Sequence, residues 1–301
     1  MQPPLSANVA DPEIPGESMT ARILDGKIPA SRIFDQIRAR VSASSITPGL
    51  AVIQVGSDPA STVYVNMKEK RCSECGILSR VFRLPDSTAQ EDLLDLVRQL
   101  NADPAIHGIL VQSPLPGHID EFAVIETVSP LKDADCFHPC NIGRLVAGAP
   151  LVYPCTPAGA LHILRYYGID PAGKRALVVG RSNIVGKPLG LMLLAENASV
   201  GWAHSKTRNL ASLCREAEIL CVAVGKPGCI TADMVSEGAI VVDVGINRVA
   251  RGESSVLVGD VDFEGVGQKA AWITPVPGGV GAMTIAMLLS NCLRLAGIPL
   301  P

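Results

Sequence analysis

The apolar run Ala176-Leu-Val-Val179 passes directly into Gly180-Arg-Ser-Asn-Ile-Val-Gly-Lys-Pro188. A short β-branched run that ends in a glycine turn and then opens a helix is the layout of a dinucleotide site. Its glycines let the backbone approach a pyrophosphate, and the N–H groups at the helix N-terminus face the anion. The spacing is not G-x-G-x-x-G, so the turn alone leaves the ligand open. The next strand-like stretch ends in His204-Ser-Lys-Thr207, where an NAD-specific site carries an acid for the ribose 2′-hydroxyl. A hydroxyl and a base there, with Arg181 in the turn, suit a 2′-phosphate. The expected cofactor is NADP.

Length and composition narrow the class. A chain of 301 residues fits two domains, each able to bury a core. Apolar residues make up 48% and charged ones 18%, with a net charge of −3, without the basic excess of a nucleic-acid binder. Aromatics at 4% leave little for stacking single strands. No apolar run is long enough to cross a bilayer, so no membrane partner is expected. Residues 1–19 read as a disordered tail: the first eighteen are proline-rich, lack Lys and Arg, and carry three acids, Asp11, Glu13 and Glu17. That is neither a signal peptide nor a presequence. Nine cysteines make no disulfide framework, and the odd count points to a reducing compartment, the cytoplasm. Cys72-Ser-Glu-Cys75 lacks a second pair at ligand spacing, and Cys75 falls on an apolar position, so both read as small buried hydrophobes.

From about residue 22 strand-like and helix-like stretches alternate. Leu50–Val55 reads as a buried strand, and Asp58-Pro59 supplies a cap and first-turn proline for a helix running to about Cys75. Strands follow at Arg80–Leu84 and Gly108–Gln112, with a helix at Thr88–Asn101 between them. This order implies a parallel sheet covered by helices. The Pro/Gly/Cys-rich stretch from Leu131 to Pro157 marks a junction. Beyond a helix at Thr156–Tyr167, strands fall near 176–179, 199–203, 219–224, 240–244 and 272–274. A last helix covers Ala282–Leu295. The expected fold class is α/β, with two parallel-sheet domains, the second Rossmann-type, and a cleft between them.

Several residues can carry chemistry. Tyr64 and Lys68 stand four apart on one helix face, a spacing that suits a solvated face as well as a site. A working Lys68 needs partial desolvation to bring its pKa down. Gln112 ends a parallel strand, where open α/β sheets place their ligands. Asp133 and Asp135 lie in the junction loop and suit capping, or a grip on an N–H-bearing heterocycle. No histidine or third acid stands at ligand spacing, so no metal is expected. His204 reads as the edge of the cofactor site.

In one order the chain carries Tyr64-Val-Asn-Met-Lys68, Gly108-Ile-Leu-Val-Gln112, Lys132-Asp-Ala-Asp135 with Phe137-His-Pro139, and Pro154-Cys-Thr-Pro-Ala-Gly159. Then come the Gly180–Pro188 turn, His204–Thr207, Asp243-Val-Gly-Ile-Asn247, Gly259-Asp-Val-Asp262 and Pro275-Val-Pro-Gly-Gly-Val-Gly281. From Ile23-Leu-Asp-Gly-Lys27 to its C-terminus the chain resembles the bifunctional methylenetetrahydrofolate dehydrogenase/methenyltetrahydrofolate cyclohydrolase family. The resemblance implies a folate-binding catalytic domain over 20–137, completed by a returning helix in 278–301, and a Rossmann-type NADP-binding domain over 138–277. It implies tetrahydrofolate one-carbon derivatives as substrates and a homodimer. It implies Lys68 as general acid/base, Gln112 tuning it, Tyr64 stacking on the aminobenzoate ring and Asp135 anchoring the pterin. Val111, Pro277, Gly278, Gly279, Val280 and Gly281 would line the folate site. Gly180, Arg181, Ser182, Ser205 and Ile246 would contact the cofactor.

Three positions depart from the family pattern: Ser113 where Leu is commoner, Cys136 for a glycine and Ala282 for a proline. Cys136 narrows the dihedrals open to the loop carrying Asp135. Its replacement by glycine should be mild if that loop keeps φ negative.

Overall fold

The computed structural model describes residues 20–251, 254–298 and 300; the expected tail, 1–19, lies outside the described residues. In chain order the elements are β1 (Arg22–Ile23), α1 (Lys27–Ser42), β2 (Gly49–Val55), α2 (Pro59–Glu74), β3 (Leu78–Leu84), α3 (Gln90–Ala102) and β4 (Gly108–Val111). Next come α4 (Glu121–Thr127), α5 (Pro139–Val146), α6 (Cys155–Tyr166), β5 (Arg175–Val179), α7 (Gly186–Ala195), β6 (Ser199–Ala203) and α8 (Leu210–Glu216). The chain ends with β7 (Ile219–Val222), β8 (Ile240–Asp243), β9 (Asn247–Arg251), β10 (Ser254–Val258), α9 (Phe263–Gly267), β11 (Trp272–Ile273) and α10 (Val280–Leu295).

Two parallel sheets result. The smaller has the order β3-β2-β4. β2 is buried along its whole length, as its unbroken apolar sequence requires of a central parallel strand. The helix after it starts where the residues set it: the Asp58 carboxylate accepts the Ser61 N–H at 2.7 Å, and Pro59 occupies the first turn.

The larger sheet runs β6-β5-β7-β8-β11-β1, with every pairing parallel. β5 is flanked by β6 on one side and β7 on the other, so the chain reverses its direction of winding there. Such a switch point opens a crevice beyond the carboxyl ends of the strands. β1 belongs to this sheet: it pairs with β11, so the first of the described strands ties into the C-terminal unit.

The antiparallel hairpin β9–β10 was not expected from the sequence. Its strands mix charged and apolar residues, and Val249 and Leu257 are exposed, so no buried run marks them.

Helices α6 and α10 cross between the sheets. A Cβ on Gly159 would stand 2.7 Å from the Met283 Cβ, so the glycine sets how closely the helices approach. α10 is apolar on nearly all sides, which suits a helix buried all round. One core joins residues of α1, β2, α2, α6, α7 and α10, and two smaller ones lie on the outer faces of the sheets. All nine cysteines are free and seven are buried, including Cys72 and Cys75, which pack in the core. Among the described residues no helix is long and apolar enough to cross a membrane.

Candidate active site

Lys68 projects from α2 toward the carboxyl end of β4 and is only 7% exposed. Its Nζ donates to Gln112 Oε1 at 2.8 Å. Gln112 is fixed in turn, its Nε2 donating to the Ser113 carbonyl at 2.7 Å and its backbone N–H to Ile53 O at 2.8 Å. Burial pushes the Lys68 pKa down, while the negative potential of Asp135 opposes the shift. A lysine held by one neutral acceptor and itself largely withdrawn from solvent can give up and regain a proton.

Asp135 sits in the junction loop. Burial raises its carboxyl pKa, against the pull of Lys68 and a bond from Cys155. The neighbouring Asp133 has a structural job, accepting the N–H groups of Phe137 and His138 at 3.1 and 2.9 Å and the Asn141 amide at 2.9 Å. From the far side Asn291 of α10 donates to the carbonyls of Ala134 and Tyr153 at 2.8 and 2.7 Å. Cys136 has φ +61°, in the left-handed region, is fully buried and donates its thiol to Val152 O at 3.3 Å. The expectation that its replacement is mild assumed negative φ, and that condition is not met.

Tyr64, Lys68, Gln112, Ile246 and Gly281 line one cavity of about 280 Å³, together with Thr156, Val185, Val244, Thr284 and Ile285. An adjoining cavity of about 250 Å³ takes in Tyr64 and Ile246 again, with Pro275 to Gly279, Met67 and Leu257. α2 supplies one wall of both and the C-terminal unit the other. Burial raises the Tyr64 pKa, so its ring enters the cleft as a neutral phenol. Val111, Asp135 and Val280 do not line either cavity: Val111 packs against the core of the smaller sheet, Asp135 stays in the junction loop, and Val280 is buried in the core at the start of α10.

The cofactor candidates lie at the switch point. Gly180 has φ +132°, and a Cβ on it would stand 2.2 Å from Ala223 O; one on Gly186 would stand 2.4 Å from Gly180 O. Only glycine admits this close turn. Ser182 Oγ accepts the N–H groups of Val185 and Gly186, both at 3.2 Å, which fixes the entry to α7. Arg181 and Ser205 are exposed, and Arg181 has no ion pair among the described residues. A narrow glycine turn at a helix start, flanked by an unpaired guanidinium and a hydroxyl with no acid beside them, fits a phosphorylated dinucleotide. His204 Nδ1 accepts the Lys206 N–H at 3.2 Å, a turn contact at the edge of this crevice.

Sequence reasoning missed Thr156 and Thr284, whose hydroxyls meet at 3.2 Å across α6 and α10. It missed Asn291 too, although an amide in an otherwise apolar helix is a visible signal. Leu257 was hidden with its hairpin.

The tetrahydrofolate dehydrogenase/cyclohydrolase catalytic-domain model matches residues 24–135, and the NAD(P)-binding-domain model of that family matches 154–298. A bifunctional protein FolD from Moorella thermoacetica is 59% identical, over 92% of this chain and 99% of its own length. The crystal structure of a bifunctional FolD from Campylobacter jejuni superimposes with a TM-score of 0.88 at 47% identity, over 92% of this chain and 99% of that one. A Trypanosoma brucei FolD, complexed with NADP cofactor and an inhibitor, gives 0.88 at 38% identity, over 91% and 97%. Both halves match in one order and the likeness extends along nearly all of each relative, so the chain belongs to the tetrahydrofolate dehydrogenase/cyclohydrolase family.

Proposed function

We propose that this protein is a bifunctional one-carbon folate enzyme. It oxidises 5,10-methylenetetrahydrofolate to 5,10-methenyltetrahydrofolate with NADP, then hydrolyses that cation to 10-formyltetrahydrofolate. The observation that carries the reading is the buried Lys68–Gln112 pair at 2.8 Å on the wall of the interdomain cavity.

The Gly180 turn would hold NADP, with Arg181 and Ser205 at its 2′-phosphate and Gly180, Ser182 and Ile246 along its length; when bound it would supply the hydride acceptor for the one-carbon bridge. Hydride transfer needs alignment above all, and Tyr64 supplies it by stacking on the aminobenzoate ring. Asp135 takes the pterin N–H groups, and Pro277 to Gly281 border the folate. Hydrolysis adds a proton problem. Water attacks the amidinium carbon and Lys68 takes one of its protons as the C–O bond forms. As the C–N5 bond breaks, the carbinol hydroxyl gives up the second proton to become the formyl oxygen, N5 gains one, and one proton is released to solvent overall. Gln112 keeps the amine aimed and, being neutral, leaves its pKa depressed.

A homodimer belongs to the same reading. So does a cytoplasmic setting, supported by nine free cysteines.

One coupled assay tests the proposal. Supplied with 5,10-methylenetetrahydrofolate and NADP, the protein should form NADPH, and methenyltetrahydrofolate should then decay at a protein-dependent rate. Absence of folate-dependent NADPH formation would reject it.

A further inference from the structure

Two buried acids, Asp243 and Asp260, have no part in the chemistry above. Asp260 is 0% exposed, and its oxygens accept from three successive backbone N–H groups, Val224 at 2.7 Å, Gly225 at 2.9 Å and Lys226 at 2.8 Å. The Asn247 amide adds a fourth bond at 2.8 Å. Gly225, at φ +69°, lets these N–H groups converge into a small anion-binding concavity, which the Asp260 carboxylate fills. Gly245 makes room: a Cβ there would stand 2.2 Å from the Asp260 Cγ.

Asp243 holds Asp260 from behind. It accepts the N–H groups of Asp260 and Val261, both at 3.0 Å, and of Gly245 at 2.9 Å. Its own N–H donates to Thr274 Oγ1 at 2.7 Å, next to the Pro275 to Gly279 loop. A chain of buried bonds therefore runs from the folate-side loop to the 224–226 loop.

The 224–226 loop leaves the carboxyl end of β7, and the Gly180 turn leaves that of β5, its neighbour in the sheet. Ala223 O stands where a Cβ on Gly180 would be, 2.2 Å away. The two turns are the opposing lips of the switch-point crevice. The glycine lip is shaped by its own backbone; the other is exposed and is held from beneath by Asp260.

We propose that Asp260 is a positioning residue for the hydride-transfer step: by tying down Val224, Gly225 and Lys226 it fixes the second lip of the cofactor crevice. The proposal rests on the dehydrogenase reading for its kinetic consequence, but not for its effect on dinucleotide binding. Lys68 and Gln112 lie on the other wall of the cleft, and the bonds that tie Asp243 to Thr274 and Gly245 do not pass through the Asp260 carboxylate, so hydrolysis measured without NADP should depend on this lip far less than dinucleotide binding does.

The test is Asp260→Asn in the full chain. The amide keeps the size but turns a donor toward N–H groups that need an acceptor. Loss of one or two charge-assisted bonds predicts a rise of about ten- to a hundredfold in KM for NADP and in Kd for NADPH, read by fluorescence without folate. Methenyl hydrolysis without NADP should stay within about twofold of wild type, a split that general loss of structure would not give. Equal loss of both activities, or unchanged NADPH affinity, would overturn the proposal. Should that variant fail to fold, Asn247→Ala removes a single donor to Asp260 and should give the same split at about three- to tenfold; no split there would overturn it equally. A wild type that binds NADPH yet does not oxidise the folate would defeat the functional reading while leaving the binding arm decisive.

Discussion

The two ends of the cleft put buried charge to different uses. At the end proposed for folate the candidate catalytic and substrate-anchoring groups are themselves taken from water: Lys68 is buried with its pKa pushed down, and Asp135 has its pKa pushed up, both by desolvation. At the cofactor end Arg181 and Ser205 stand exposed, while the buried acids Asp243 and Asp260 lie beneath the surface and bind backbone N–H groups. Burial pushes the Asp243 carboxyl up as well, to about 6, against the backbone N–H bonds that lower it, so what separates the two ends is what the buried charge holds: a reactant at one, a loop at the other. The first arrangement suits hydrolysis, which moves protons. The second suits hydride transfer, which needs only geometry.

On this contrast Asp135→Ala should have a large effect and strike both activities, since both reactions would use one folate pose. Loss of charge-assisted bonds to pterin N–H groups in a cleft costs on the order of 2–4 kcal/mol, or about thirty- to a thousandfold in affinity. Fluorescence titration with folate checks this, and unchanged binding and turnover would remove Asp135 from the site. Its raised pKa adds a sign: the carboxylate protonates at a higher pH than a free aspartate, so folate affinity should begin to fall sooner on acidification.

A smaller, one-sided effect is expected from Arg181→Ala. A guanidinium–phosphate bond contributes roughly 1.5–3 kcal/mol, and exposure places this one toward the lower end, about tenfold in kcat/KM with NADP. Efficiency with NAD should barely change. Equal use of NAD and NADP by the wild type would break the assignment of the 2′-phosphate site.

The mildest change should be Cys136→Gly, for a reason other than the one expected. Glycine relieves a left-handed conformation that costs about 1–2 kcal/mol, but gives up a buried side chain and its bond to Val152 O. The terms oppose, so unfolding free energy should shift by less than about 1 kcal/mol. A loss of several kcal/mol in denaturant unfolding would show that the thiol, rather than the backbone, governs this loop.

The sequence carried local signals well and the assembly poorly. β2, the Asp58-Pro59 start of α2 and the Gly180 turn were legible because each rests on neighbouring residues: an apolar run, a cap, a glycine. The hairpin β9–β10 was not, since its strands bury no continuous face. Nor could any local pattern show β1 pairing with β11 across the length of the chain. At the site, Tyr64, Lys68 and Gln112 could be named from spacing and resemblance, but the desolvation that depresses the lysine pKa comes from packing. Val111 and Val280 were named beside true cavity residues because position along the chain does not say which way a side chain faces. Asp260 lay in a quoted motif, yet only the fold brings residues 224–226 onto its carboxylate.

Desolvated Lys68 would serve hydrolysis while geometry alone serves hydride transfer, and Lys68→Met separates the two most directly. Both activities should be followed in one preparation, with folate binding as a control. Methenyl hydrolysis should fall by about a hundred- to ten-thousandfold, the usual share of a proton carrier, while folate still binds and a measurable part of NADPH formation remains. In the wild type, hydrolysis should rise with pH through a pKa below that of a free lysine, as the neutral amine becomes available. Hydrolysis by Lys68→Met at the wild-type rate would contradict the account.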